Sequence, residues 1–131
     1  GKAGLQYQAD LNEYMLNIIN AFLSCGDYIP FRQIYQKTSL LCQMVSQYTE
    51  LDNAEKALDC AKQLITARDD FYDFLDNPAD KHCLMFVEGD RDGDWHATHE
   101  KIDGYVLSAI ERLKSFPQYH DEQTLNTVLK I

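Results

Sequence analysis

The sequence predicts an all-α domain in which about five antiparallel helices pack as a helical bundle. Apolar residues recur at intervals of three and four along most of the chain, which is the spacing of one face of an α-helix. Alternation with a period of two, the pattern of a half-buried strand, is nowhere sustained. The 131 residues suffice for one core, so a single domain over residues 1–131 is expected. It remains open whether the chain is a piece of a longer protein.

The first helix is predicted from about Ala9 to Cys25. Its apolar face is expected to point towards the core and consists of Leu11, Tyr14, Met15, Ile18, Ile19 and Phe22. Gly26 stands where a helix commonly ends in the left-handed conformation. Pro30 suits the first turn of the helix that follows.

The second helix is predicted from about Phe31 to Glu50. Its apolar face consists of Ile34, Leu41, Met44, Val45 and Tyr48. The polar residues Lys37 to Ser39 interrupt this face, and a kink is conceivable there.

The third helix is predicted from Ala54 to about Leu75. Asp52 and Glu55 have the spacing of a capping box at its start, and Asn77-Pro78 is expected to end it. Its inward residues are expected to be Ala54, Ala57, Leu58, Ala61, Leu64, Ile65, Phe71 or Tyr72, and Leu75.

The remaining chain predicts two further helices after an ambiguous segment, residues 79–94. That segment contains a short apolar run, Cys83 to Val87, and an acidic loop, Glu88 to Asp94. The fourth helix is predicted from about Trp95 to Phe116 and the fifth from about Asp121 to Lys130. Their apolar faces are Trp95, His99, Ile102, Tyr105 or Val106, Ala109, Ile110 and Leu113, and then Leu125, Val128 and Leu129.

The charge of the chain bears on its partners. There are 12 basic and 21 acidic residues, for a formal net charge of −9. Such a surface repels phosphate groups, so neither a nucleic acid nor an anionic membrane is expected to bind this chain directly. No apolar run is long enough to cross a membrane.

Acidic residues concentrate between Asp69 and Asp94, where nine carboxylates face two basic residues. A solvated surface accounts for such a segment, and a docking surface for a basic partner is the functional alternative. The candidate binding residues in its first part are Asp69, Asp70, Asp73 and Asp76.

No catalytic or metal-binding pattern is complete in the sequence. The chain lacks the G-x-S-x-G elbow, the Gly-rich phosphate loops, HExxH and CxxC. Asp90, Asp92 and Asp94 alternate as in a calcium loop, but Lys101 occupies the position of its bidentate glutamate. His96 and Glu100 share one helix face without a second such pair. We therefore expect no enzyme, no metal and no cofactor.

The four cysteines predict a cellular compartment. Cys25, Cys42, Cys60 and Cys83 are too sparse for a disulfide scaffold. We expect small buried side chains in a reducing cytosol, and a secreted protein with two disulfides is the alternative.

Residues Thr38 to Ile65 resemble one tetratricopeptide unit. The resemblance is carried by Leu41, Met44 and Tyr48, by the turn sequence Leu51 to Leu58, and by Ala57 as the small residue of the second helix. It implies stacked antiparallel helix pairs and the binding of a protein or peptide. The resemblance also implies that the concave side of the pair is lined by Ser39, Cys42, Ser46 and Thr49.

The acidic helical chain also resembles the C-terminal sensing regions of bacterial helix-turn-helix regulators, in which a separate segment contacts DNA. The leading expectation is a protein- or peptide-interaction module, with the effector or dimerisation domain of a transcriptional regulator as one setting. The alternative is a small acidic inhibitor or immunity protein that masks a basic enzyme. A homodimer is left open.

Overall fold

The computed structural model describes residues 1–24, 31–76 and 95–131. Its helices are α1 (Lys2–Ser24), α2 (Phe31–Glu50), α3 (Ala54–Asp76), α4 (Trp95–Leu113) and α5 (Glu122–Leu129), with a short 3₁₀ turn at Pro117–Tyr119. No strand occurs within these ranges, which confirms the all-α class. The expectations for Gly26, Pro30, Asn77-Pro78 and residues 79–94 lie outside the described residues.

The predicted helix bounds agree best for α2 and α3. The helix α1 begins at Lys2, well before the predicted Ala9, because the seven residues from Lys2 to Gln8 contain no proline and Leu5 is half-buried. The helix α4 ends at Leu113, before the predicted Phe116. There the backbone tightens into shorter-range hydrogen bonds, with the Phe116 N–H donating to the Leu113 carbonyl at 3.1 Å. Phe116 nevertheless stays buried.

The helices α2 and α3 form a central hairpin. The helix α1 packs against α2, and α4 packs against both α2 and α3, while α5 contacts α3. The main core lies between these elements and contains Leu41, Met44, Val45, Tyr48, Ala57, Ala61, Leu64, Val106, Ala109, Leu113, Leu125 and Leu129. A smaller cluster of Ile34, Phe71 and Ile102 lies beside it. The predicted apolar faces of α2, α3, α4 and α5 thus supply most of the core.

The turn between α2 and α3 corrects the predicted capping box. Asp52 has a positive φ of 56°, and its N–H donates to the Thr49 carbonyl, while the Asn53 N–H donates to the Tyr48 carbonyl at 2.8 Å. These bonds form a Schellman motif that closes α2. Asn53, and not Asp52, caps α3, since its Oδ1 accepts from the Lys56 N–H at 3.1 Å.

The inward face of α1 was predicted wrongly. Of the predicted inward residues only Ile19 is buried, and the other five are about half-exposed. The side of α1 that packs on α2 carries Ala9 and Leu16 instead, at 0% and 5% exposure. Ala9 lacks a bulky side chain, so the two helices approach closely on this side.

Candidate functional site

The outer face of α1 is the most unusual surface of the described part of the chain. Six large apolar side chains follow one another along it at helical spacing. We call them the apolar stripe: Tyr7, Leu11, Tyr14, Met15, Ile18 and Phe22. Their exposed fractions run from 46% for Leu11 to 66% for Tyr7. A helix that is apolar on both sides is normally buried on both sides.

Polar contacts hold the opposite side of α1 against the hairpin. Asn12 Nδ2 donates to Gln47 Oε1 at 3.0 Å, in a half-buried position. The Tyr48 hydroxyl donates to Glu13 Oε2 at 3.4 Å, and Lys56 Nζ lies 3.6 Å from the same oxygen. These contacts turn the apolar stripe away from the core.

A groove between α1 and α2 continues the apolar stripe. This α1–α2 groove has a volume of about 290 Å³, and its lining includes Met15, Ile19, Tyr35, Ser39 and Leu40. Met15 belongs to both the groove and the stripe. A side chain from a molecule lying along the stripe could therefore enter the groove beside Met15.

A second cavity lies on the other side of α1, between α1, α2 and α3. This polar cleft has a volume of about 320 Å³, and its lining includes Glu13, Tyr48, Lys56, Asp59 and Cys60. Lys56 Nζ lies 5.4 Å from the centre of the Tyr48 ring and is also paired with Glu13. The charged groups at this end of the cleft thus interact chiefly with one another.

Two groups in the lining of the polar cleft, Tyr48 and Cys60, have pKa values well above their ordinary ones. Burial raises the pKa of Tyr48 to about 12, and the Glu13 carboxylate acts in the same direction. Burial likewise raises the pKa of the Cys60 thiol to about 12, reinforced by Asp59 and Glu13. A nucleophilic cysteine needs a lowered pKa, so the environment of Cys60 disfavours that chemistry.

The four residues predicted to line a concave surface all lie half-buried on α2. Ser39 lines the α1–α2 groove and lies close to the hydroxyl of Tyr105 on α4. Cys42 lies beside Ser108 and Arg112 of α4, and burial raises its pKa. Thr49 Oγ1 donates to the Val45 carbonyl at 2.7 Å, and Ser46 lies one turn before it. Peptide binding by these four residues stays a prediction.

The predicted acidic surface has basic neighbours within the chain. Asp69 and Asp70 are exposed on the last turns of α3, as is Asp73, and Asp76 is the last residue of that helix. Arg68 Nη2 lies 3.2 Å from Asp69 Oδ1. Lys37 lies close enough to Asp70 for the carboxylate to raise its pKa against the larger lowering effect of burial. The negative charge of this surface is therefore partly compensated locally.

An aromatic contact joins α3 to α4 near this acidic surface. The rings of Tyr72 and His99 stack with centroids 4.5 Å apart, and the Tyr72 hydroxyl donates to Asp103. Burial raises the pKa of Tyr72 to about 12, and the hydrogen bond to Asp103 adds to that effect.

Within the described ranges no group of three or more His, Cys, Asp and Glu residues could hold a metal ion. Cys42 and Cys60 are both free thiols.

The sequence pattern predicts that the apolar stripe lies in the core, although the sequence also contains a second apolar face on the same helix. Ala9, Leu16 and Leu23 recur every seven residues on the side opposite the stripe. Two apolar faces on one helix indicate either a fully buried helix or a helix with a second partner.

Comparison with known proteins finds no matching family model, no matching curated protein and no matching solved structure. The resemblances to tetratricopeptide units and to regulator sensing regions stay predictions. In the part of the chain that the structure describes, no helix has both the length and the apolar character needed to cross a membrane.

Proposed function

We propose that the protein is a protein-interaction module that binds a helical segment of its partner along the apolar stripe of α1. The observation that carries this proposal is the size of the stripe. At about 200 Å² for each large side chain, the half-exposed residues leave roughly 650 Å² of apolar surface in water. The largest apolar patch on a typical monomer measures roughly 300–600 Å² and is often functional.

The spacing of the stripe supports a helix as the binding element. Anchors that recur every three or four residues match the apolar face of a second amphipathic helix. The α1–α2 groove beside Met15 offers room for one side chain of that helix. The effector or dimerisation domain of a regulator is one setting in which such a surface would operate.

The alternative of an acidic inhibitor has weaker support. Its docking surface would be the acidic residues of α3, where Arg68 and Lys37 already lie beside Asp69 and Asp70. Exposed ion pairs contribute little to stability, so these contacts could rearrange when a partner binds. The apolar stripe, in contrast, needs a partner that this alternative does not supply.

Photo-crosslinking in cells that produce the protein tests the proposal. A photoreactive residue at Ile18, in the middle of the stripe, should form a protein adduct. The same residue at Gln123, which is exposed on α5, should not. Absence of any protein adduct at Ile18, or equal adducts at both positions, would contradict a docking role for the stripe.

A further inference from the structure

We propose that the occupant of the apolar stripe is α1 of a second copy of the chain, packed antiparallel, so that the protein is a two-fold symmetric dimer. This inference rests on the proposed docking role of the stripe and names its partner. It differs from the general proposal because it specifies which residues face each other across the interface.

The exposed side of α1 contains the repeat of a two-helix coiled coil. Small or apolar residues recur there at alternating intervals of three and four. We call them the seam: Gly4, Tyr7, Leu11, Tyr14, Ile18 and Ala21. All six are exposed, and a Cβ added at Gly4 would meet no atom within 4 Å. This alternation is the pattern by which two helices pack knobs into holes.

The seam is complementary to itself when the second helix runs in the opposite direction. With the two-fold axis between positions 12 and 13, Tyr7 faces Ile18 of the second copy and Leu11 faces its Tyr14. Each of these central layers combines one aromatic and one aliphatic side chain. At both ends of the seam Gly4 faces Ala21, so the helices can approach closely there.

A parallel arrangement packs less evenly. Each seam residue would face the same residue of the second copy. Tyr7 and Tyr14 would then form layers of two tyrosines, and Gly4 would form a layer of two glycines. The helix dipoles would also point in the same direction, whereas antiparallel neighbours place opposite partial charges side by side. Both effects favour the antiparallel register.

The residues along the seam allow a second copy to dock in spite of the negative charge of each chain. No seam residue is charged, and Asp10, which flanks the seam, would lie across from the amide of Asn17. The interface therefore brings no two carboxylates together, although each chain carries a net charge of −9. Nothing along the seam would select a cationic protein.

The area of the stripe approaches what a stable dimer needs. Roughly 650 Å² of apolar surface in each copy compares with about 800 Å² per partner in interfaces of standard size. The side chains that flank the stripe, together with the rim of the α1–α2 groove, would supply the remainder.

Sedimentation velocity over a concentration series tests the inference. The natural chain should show twice the 15.1 kDa mass of the monomer. Ile18→Glu should give the monomer with an unchanged circular dichroism spectrum, because Ile18 is 49% exposed and leaves the core intact. Leu107→Glu on α4, at a position that is 64% exposed, is the matched control and should stay dimeric.

A double variant tests the register. Tyr7→Lys combined with Ile18→Glu places a lysine opposite a glutamate in both symmetry-related layers, so dimer formation should return. In a parallel pair the same changes bring like charges together, and the double variant stays monomeric, which would overturn the antiparallel register.

Two further results would overturn the inference. One is a natural chain that is monomeric throughout the concentration series, and the other is a dimer that Ile18→Glu leaves unaffected. If the Ile18 photo-adduct contains a different protein while the natural chain is monomeric, the docking role of the stripe stands and the self-association fails. If no adduct of any kind forms, the docking role fails as well.

Discussion

The thiol of Cys60 lies where the core meets the polar cleft. Its side chain belongs to the core, with 4% of the residue exposed, and it also lines the cleft. The thiol carries no charge when protonated, so burial favours that form and raises the pKa from 9.0 to about 12. The position combines a small hydrophobic side chain with low reactivity.

The raised pKa predicts an alkaline loss of stability. As the pH rises from 9.0 towards about 12, the unfolded chain gives up the thiol proton that the folded chain keeps. The free energy of unfolding should therefore fall over this range, and Cys60→Ala should weaken that dependence. Urea unfolding at a series of pH values measures it. A thiol reagent at pH 8, with the modified cysteines located by peptide mapping, should modify Cys60 only in the unfolded protein. Rapid modification of Cys60 itself in the native protein would contradict its burial.

The sequence predicts the burial of individual residues well where one helix face is clearly apolar. Ala57, Ala61 and Leu64 were expected to face inward on α3, and all three are buried. Cys60 is buried, as expected for a small cysteine side chain, whereas Ala67 is buried but was not expected. Ala67 lies at the border of the apolar face, where burial depends on the angle of the neighbouring helix and not on the spacing.

At the scale of elements, the short α2–α3 turn both ends one helix and begins the next. Asp52 adopts the left-handed conformation that closes α2, and Asn53 caps α3. A similar arrangement ends α5, where Lys130 has a φ of 61° and the Ile131 N–H donates to the Asn126 carbonyl. A non-glycine residue in this conformation is uncommon, and a short polar side chain such as Asp tolerates it best.

Removal of the α3 cap should destabilise the hairpin. Asn53→Ala leaves the Lys56 N–H without the Oδ1 acceptor, and we expect a loss of about 1 kcal/mol in the free energy of unfolding. Asn53→Asp keeps an acceptor at the same position and should have little effect. Chemical denaturation of the two variants distinguishes them, and equal stability would show that the hydrogen bond is not needed.

The orientation of α1 could not be predicted from its periodicity. The pattern shows that the segment is helical, but it offers two apolar faces and larger side chains on the outer one. The inner face is selected by the partners of Asn12 and Glu13 on α2 and α3, which lie far away in the sequence. The candidate site was missed for this reason.

The whole molecule depends on α4 to cover the α2–α3 hairpin. Ile102 is fully buried and forms a cluster with Ile34 of α2 and Phe71 of α3. On the same helix, Leu107 is 64% exposed and makes no comparable contribution to the core. The two residues form a matched pair of aliphatic side chains in opposite environments.

Truncation of this pair should give very different results. Ile102→Ala leaves a cavity between three helices and should cost about 2–5 kcal/mol in the free energy of unfolding. Leu107→Ala should stay within about 0.5 kcal/mol of the natural chain. Calorimetry of both variants measures the difference, and similar stabilities would contradict the placement of α4.

The architecture was predictable because helix periodicity is a local property. The all-α class and the apolar faces of α2, α4 and α5 follow from spacing alone. Contacts such as the hydrogen bond between Tyr72 and Asp103 depend on how α3 and α4 cross. No pattern within either helix contains that information.

The polar contacts of α1 bear on which of its two apolar faces points towards the solvent. With apolar residues on both sides, this helix could bury a comparable hydrophobic area after half a revolution about its own axis. The bonds of Asn12 to Gln47 and of Glu13 to Tyr48 exist in only one of the two settings. These contacts therefore favour the observed setting of α1, in which Ala9 and Leu16 face the core and the larger apolar side chains give the outer surface its chemical character.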